Sequence, residues 1–202
     1  GPYTQWQLDE LAATKVKVVL DGQGADELLA GYIPYFGMYF KELKAKGDYK
    51  TLISELFYAR DLLKPFLIEK IKTKLGSYKP ISPKSLLNSD FATKHSAPSS
   101  VRPAKNLRER LFNDLFYDCI PPLLRYQDRN SMAHSIESRV PFLDNDLVDL
   151  MLSLDSSYRI RKGWNKWIMR QSLKGLLPEL IRNRRWKVGL TTPEIAWMRS
   201  LG

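Results

Sequence analysis

The chain has 202 residues, with 32 Lys and Arg against 22 Asp and Glu, for a formal charge of +10. Hydrophobic residues make up 44% and charged residues 27%, a balance that excludes a disordered chain and supports a core without disulfide or metal staples. Cys119 is the only cysteine, so no disulfide closes within the chain, and its apolar helical surroundings read as a core position in a cytoplasmic protein. No run of about 18 apolar residues is present, so no membrane span is expected, and Gly1-Pro2-Tyr3-Thr4 lacks the basic and apolar regions of a signal peptide.

Residues 3–14 carry an imperfect apolar stripe of Tyr3, Trp6, Leu8, Leu11 and Ala12, which predicts a helix. Val16 to Leu20 is a β-branched run closing on Asp21-Gly22, the one convincing strand. Its apolar character fits a buried parallel strand. A glycine turn, Gly22-Gln23-Gly24, then leads into a helix with Asp26 and Glu27 in its first turn. Helices are predicted over 34–46 and 48–63, broken at Gly47, with Asp48 as N-cap. The aromatics Tyr32, Tyr35, Phe36, Tyr39, Phe40, Phe57 and Tyr58 read as core at helical spacing.

Residues 77–103 hold seven Ser and four Pro, which predicts a long loop or flexible insert. Helices are predicted again at 104–120, 123–134, 144–154, 163–176 and 178–184, the first with Leu107, Leu111, Phe112, Leu115, Phe116 and Cys119 on one face. The fold class is therefore mostly α with a single strand. A lone parallel strand leaves its hydrogen-bonding groups unpaired, which points to part of an α/β domain and makes self-association through the open edge an expectation.

Three stretches carry candidate chemistry. In the first, a strand ending in a Gly-x-Gly turn presents backbone amides at the edge where open α/β sheets bind anionic ligands. Asp26 and Glu27 would repel a bare phosphate, and Mg²⁺ bridging carboxylate to phosphate resolves the conflict. By spacing alone, a tight turn with an acidic helix start explains the same residues without a ligand. In the second stretch, Asp128 and Arg129 stand at a polar helix edge, and Glu137 with Arg139 is expected as a partly buried ion pair before Pro141. His134 has no second histidine nearby, so a histidine metal site is not expected. The third, Arg182 to Leu190, is a basic turn that suits either a phosphate or open solvent.

Taken together, LDGQGADELLAGY, DRNSMAHSIESRVPFLD and NRRWKVGL, in this order over essentially the whole chain, resemble the C-terminal synthetase domain of glutamine-hydrolysing asparagine synthetases. The resemblance implies an ATP-pyrophosphatase-like domain, with a parallel sheet flanked by helices, over residues 1–202. It implies that ATP adenylates the aspartate side chain with Mg²⁺ present, and that ammonia derived from glutamine then attacks the β-aspartyl-adenylate. Asp26 matches the family's Mg²⁺-associated aspartate, Gly22 and Gly24 match its glycines, and Lys187 matches the lysine that stabilises charge during adenylation. Asp21, Gln23 and Glu27 fall within the same substrate-binding loop, and Asp128, Arg129, Glu137 and Arg139 fall at supporting positions. Asp21 replaces a serine common in the family, and Gln23 stands where many members carry an acidic residue, so a proton-transfer role does not carry over to Gln23.

The family's SGGxDS pyrophosphate loop is absent from the sequence, and Cys119 is internal, unlike the N-terminal cysteine of the glutaminase domain. The expectation is a partial domain that neither binds ATP tightly nor forms product alone, with aspartate, ATP and ammonia as substrates of the full-length protein. A β-lactam-synthetase-like or peptide-cyclising ligase is the alternative within the same chemistry. A basic, non-catalytic helical module is the alternative from another class. A nucleic-acid partner is not expected, since no recognisable binding motif accompanies the positive charge.

Overall fold

A computed structural model of the chain describes residues 1–74, 88–95, 102–185, 192–193, 196–197 and 199. Helix α1 (Pro2–Ala13) leads into strand β1 (Val18–Leu20) and the four-residue helix α2 (Ala25–Leu28). Helices α3 (Pro34–Ala45), α4 (Tyr49–Lys74), α5 (Ser89–Lys94) and α6 (Leu107–Asn113) follow, and α6 runs into a π-helical turn at Asp114–Asp118. Next come α7 (Ile120–Ala133), β2 (Glu137–Arg139), α8 (Asn145–Ser153), α9 (Trp167–Ser172) and α10 (Glu179–Arg182).

Strand β1 is not alone. It pairs in parallel with β2, with Val18 opposite Glu137 and Leu20 opposite Arg139. The ladder is extended by the Glu137 amide donating to the Lys17 carbonyl and the Asp21 amide donating to the Arg139 carbonyl. Glu-Ser-Arg has no apolar run or alternation to mark it as a strand, so pairing with β1 fixes its conformation rather than local propensity. The expected buried Glu137–Arg139 pair is corrected too: the two groups meet at 2.8 Å, but on an exposed face of β2.

Two apolar clusters hold the fold together. The first packs Tyr35, Phe36, Tyr39 and Leu43 of α3 against Ala59 and Leu62 of α4 and Leu107 and Leu111 of α6. The second joins Leu28 and Leu29 to Leu115, Ile120 and Met151, with Phe142, Leu143, Ile168 and Met169 packed around them. Helix α2 lies at the join, which is why so short a helix is fixed. Arg159 reinforces that position: it is fully buried, and its guanidinium donates to the carbonyls of Leu28, Leu154 and Met151.

Other elements differ from the periodicity reading. Helix α4 continues past residue 63 through Pro65 to Lys74, and Asp48 caps its start by accepting the Thr51 amide. Phe57 and Tyr58 are exposed rather than core, as are Phe112 and Phe116. In α1 the buried residue is Asp9, while Tyr3, Trp6, Leu8 and Leu11 face outward. Within 77–103 the described part includes α5, capped by Asn88, whose side chain accepts the Asp90 and Phe91 amides; the remaining positions from 77 to 87 and from 96 to 101 lie outside the described residues.

Candidate active site

The turn after β1 brings the first motif to the end of the sheet. Asp21 accepts the Gln23 amide at 3.2 Å, closing the turn. Gly24 adopts φ +87°, and a Cβ there would fall 2.2 Å from the Leu143 side chain, so both conformation and space require glycine. Helix α2 then directs Asp26 and Glu27 to different environments.

Glu27 points inward and is 1% exposed. It accepts the Tyr32 hydroxyl at 2.7 Å and the Cys119 thiol at 3.2 Å. Burial, and then the neighbouring Glu27, push the Tyr32 phenol well above its ordinary range, and the same causes push the Cys119 thiol up to about 12. Glu27 therefore acts as an internal brace for α2 and does not line the cleft that Asp26 enters. Cys119 is part of that brace and is only half-buried.

Asp26 points the other way, into a cleft of about 260 Å³. The Lys166 ammonium meets its carboxylate at 2.7 Å. Beside this pair stand Arg170, Arg182, Arg184 and Arg185, so among the described residues five cationic side chains and one carboxylate line the cleft, Arg182 being paired with Glu179 at 2.7 Å. Burial lowers the Arg170 pKa from the ordinary arginine value, and repulsion from Arg185, Arg182 and Arg184 lowers it further. Such a cluster gains most when an anion enters it.

The cluster is rigidly mounted. Arg170 donates to the Asn165 carbonyl at 2.8 Å and to the Arg184 carbonyl at 3.0 Å, tying α9 to the segment after α10. Arg185 donates to the carbonyls of Tyr58 and Gly163 at 3.2 and 2.8 Å. Both guanidiniums lie over the Trp164 ring, Arg170 at 5.0 Å and Arg185 at 4.5 Å from its centre. Lys166 and Arg170 are the functional candidates that motif reading missed. Lys166 stands in a left-handed conformation just before α9 and Arg170 lies within that helix, and no local motif marks the pair.

The other predicted residues lie elsewhere. Asp21, Gly22 and Gln23 line a separate groove of about 780 Å³ between α1, β1 and α7, together with Asp9 and Gln127. Asp128 and Arg129 are exposed on α7, and Glu137 and Arg139 are exposed on β2; none of the four lines the Asp26 cleft. Arg139 does adjoin the motif turn through its backbone carbonyl. Lys187 lies outside the described residues, whereas Arg185, two positions earlier, lines the cleft with Asp26.

Mg²⁺ can be judged on the donors present. Among the described residues no group of three or more His, Cys, Asp and Glu side chains gathers, which does not suit a cation held by protein alone. The carboxylate of the Asp26 cleft is already paired with Lys166, so a Mg²⁺ ion there would have to take most of its shell from phosphate oxygens and water.

The family model for asparagine synthase matches residues 2–202. The chain belongs to the asparagine synthase family. Glutamine-hydrolysing asparagine synthetase 1 of Bacillus subtilis (strain 168) is 25% identical over 217 residues, covering 94% of this chain and 33% of the relative. A putative asparagine synthetase of Mycobacterium tuberculosis is 28% identical, covering 94% of this chain and 32% of the relative. Glutamine-hydrolysing asparagine synthetase of Gallus gallus is 41% identical over 90 residues, 43% of this chain and 15% of the relative. The chain thus spans about one third of the length of these longer asparagine synthetases. Among the described residues no helix is long and apolar enough to cross a membrane.

Proposed function

We propose that this chain supplies the phosphate-handling wall of an ATP-dependent asparagine synthetase. The full-length protein converts aspartate, ATP and glutamine-derived ammonia to asparagine, AMP and pyrophosphate through β-aspartyl-adenylate. The observation that carries the reading is the cleft in which Asp26 stands among Lys166, Arg170, Arg182, Arg184 and Arg185. A carboxylate is a poor electrophile, so its activation requires a leaving group whose charge is neutralised as it departs.

Asp26 would hold Mg²⁺, which when bound offsets negative charge on the phosphates and orients them. Lys166 and the arginine cluster attract and seat the polyphosphate. Lys187 is assigned the role of stabilising charge during adenylation and amide formation. Glu27, through Tyr32 and Cys119, keeps α2 in place beneath Asp26. The turn of Asp21, Gly22, Gln23 and Gly24 borders the substrate side, with Asp128, Arg129, Glu137 and Arg139 as supporting positions around β2 and α7. The partial-domain reading is supported by the small size of the sheet, two strands among the described residues, β1 before the motif turn and β2 after it.

The test is pyrophosphate release by the full-length protein with aspartate and MgATP. Asp26→Asn and Lys187→Ala should each lower turnover by about 100-fold or more; wild-type turnover in both would overturn the reading. The 202-residue chain alone should show no micromolar affinity for MgATP in a calorimetric titration, and such affinity would contradict its assignment as an incomplete site.

A further inference from the structure

Helix α1 reverses the usual pattern of a surface helix. Asp9 is buried, 6% exposed, while its neighbours Leu8 and Leu11 face outward. A carboxylate taken from water without a partner is costly, so its retention calls for a reason. The Oδ2 atom of Asp9 is shut off from solvent and has no hydrogen-bond partner among the described residues. The same holds for Oε1 of Gln127 on α7, a residue 4% exposed. The Gln127 amide is oriented by its Nε2, which donates to the Ser138 hydroxyl at 3.0 Å and leaves the carbonyl oxygen as an unused acceptor.

Both residues line the groove of about 780 Å³ between α1, β1 and α7. Asp21 lines it as well, with one oxygen accepting the Gln23 amide. Among the described residues the one cationic side chain in its wall is Lys15, which is exposed. Burial raises the Asp9 carboxyl above its ordinary range; His134 offsets part of this, and the charge of Asp21 adds to it. Leu8, Leu11 and Leu20 supply apolar wall. The groove therefore combines unused acceptors and negative charge with hydrocarbon, the opposite of the cationic Asp26 cleft.

We propose that this groove binds a primary ammonium group carried on a short apolar stem. An ammonium has three donors and no acceptor, which matches Asp9, Gln127 and Asp21 as acceptors. The broad terminal torsion of a carboxylate lets either Asp9 oxygen turn toward the groove. Contacts from a charged donor to a carboxylate are the stronger kind, and the stem covers the leucines. A water molecule brings two donors and no charge, so it leaves the buried carboxylate uncompensated. An acidic amino acid carries carboxylates that Asp9 and Asp21 repel, so the ligand class is an alkylamine. The inference is independent of the role assigned to the Asp26 cleft.

The experiment titrates n-butylammonium into the 202-residue chain by ligand-observed NMR, with n-butanol and L-aspartate as comparison ligands. n-Butylammonium should bind about tenfold more tightly than either. Asp9→Asn should weaken n-butylammonium binding by about tenfold and Gln127→Leu by about fivefold. The n-butanol signal should stay as in wild type, which separates lost ammonium recognition from a collapsed groove. Gln127→Leu carries the test if Asp9→Asn does not fold, judged by circular dichroism, or also loses n-butanol. Equal binding of n-butylammonium by wild type and the folded variants overturns the proposal. So does an absence of n-butylammonium binding, or a preference for n-butanol or L-aspartate.

Discussion

Asp26 and Glu27 are adjacent carboxylates whose roles are separated by the direction each side chain takes from α2. Glu27 is buried against a phenol and a thiol, both protonated and both donating to it. Glu27→Ala removes the carboxylate that both half-buried donors reach, so a loss of about 1–3 kcal/mol in urea unfolding is expected. The Cys119 thiol, held at about 12 against an ordinary 9.0, stays protonated in the folded chain over pH values at which it ionises when unfolded. Its contribution to stability is complete below about pH 9 and declines as pH rises from there toward 12. Cys119→Ser should flatten that alkaline decline, followed by denaturant midpoints from pH 8 to 11. At Gly31 the constraint is steric. Gly31→Ala drives a methyl group into the Asp26–Lys166 pair, and a destabilisation of about 1–3 kcal/mol is expected.

At the scale of elements, the short helix α2 is held by what surrounds it. Arg159 ties the Leu28 carbonyl to two carbonyls at the end of α8. Arg159→Met keeps the volume but orphans those carbonyls, so a loss of about 2–4 kcal/mol by thermal or urea unfolding is expected. Much of this level was legible in the sequence: the β1–turn–α2 unit, α3, the start of α4, α7 and α8 follow from apolar spacing, glycines and caps. Strand β2 was not, because Glu137-Ser138-Arg139 becomes extended by pairing with β1, a contact more than a hundred residues distant. The α1 stripe was misleading for a related reason, since periodicity reports an apolar face without saying what covers it. Of the site, Asp26 and its glycines were legible from a motif. Lys166 was not: its importance comes from a left-handed turn and from the Asn165–Gly31 bond, neither of which has a local sequence signature.

Across the whole molecule, Asp26 shares a cleft with Arg182, Arg184 and Arg185 of the basic segment, while Lys187 lies outside the described residues. The positive charge is not merely a solvated face, since five of its side chains line the Asp26 cleft. The sheet, by contrast, is small, with Leu20 of β1 75% exposed at its end. An open apolar strand favours association of chains, so the isolated chain should self-associate at tens of micromolar in sedimentation experiments, and Leu20→Lys should shift it toward monomer. The central claim concerns the cleft and has a direct measurement: calorimetric titration of inorganic pyrophosphate into the chain with and without Mg²⁺. The account predicts that Mg²⁺ strengthens binding by about tenfold in wild type and fails to strengthen it in Asp26→Asn. Equal enhancement by Mg²⁺ in both proteins would contradict it.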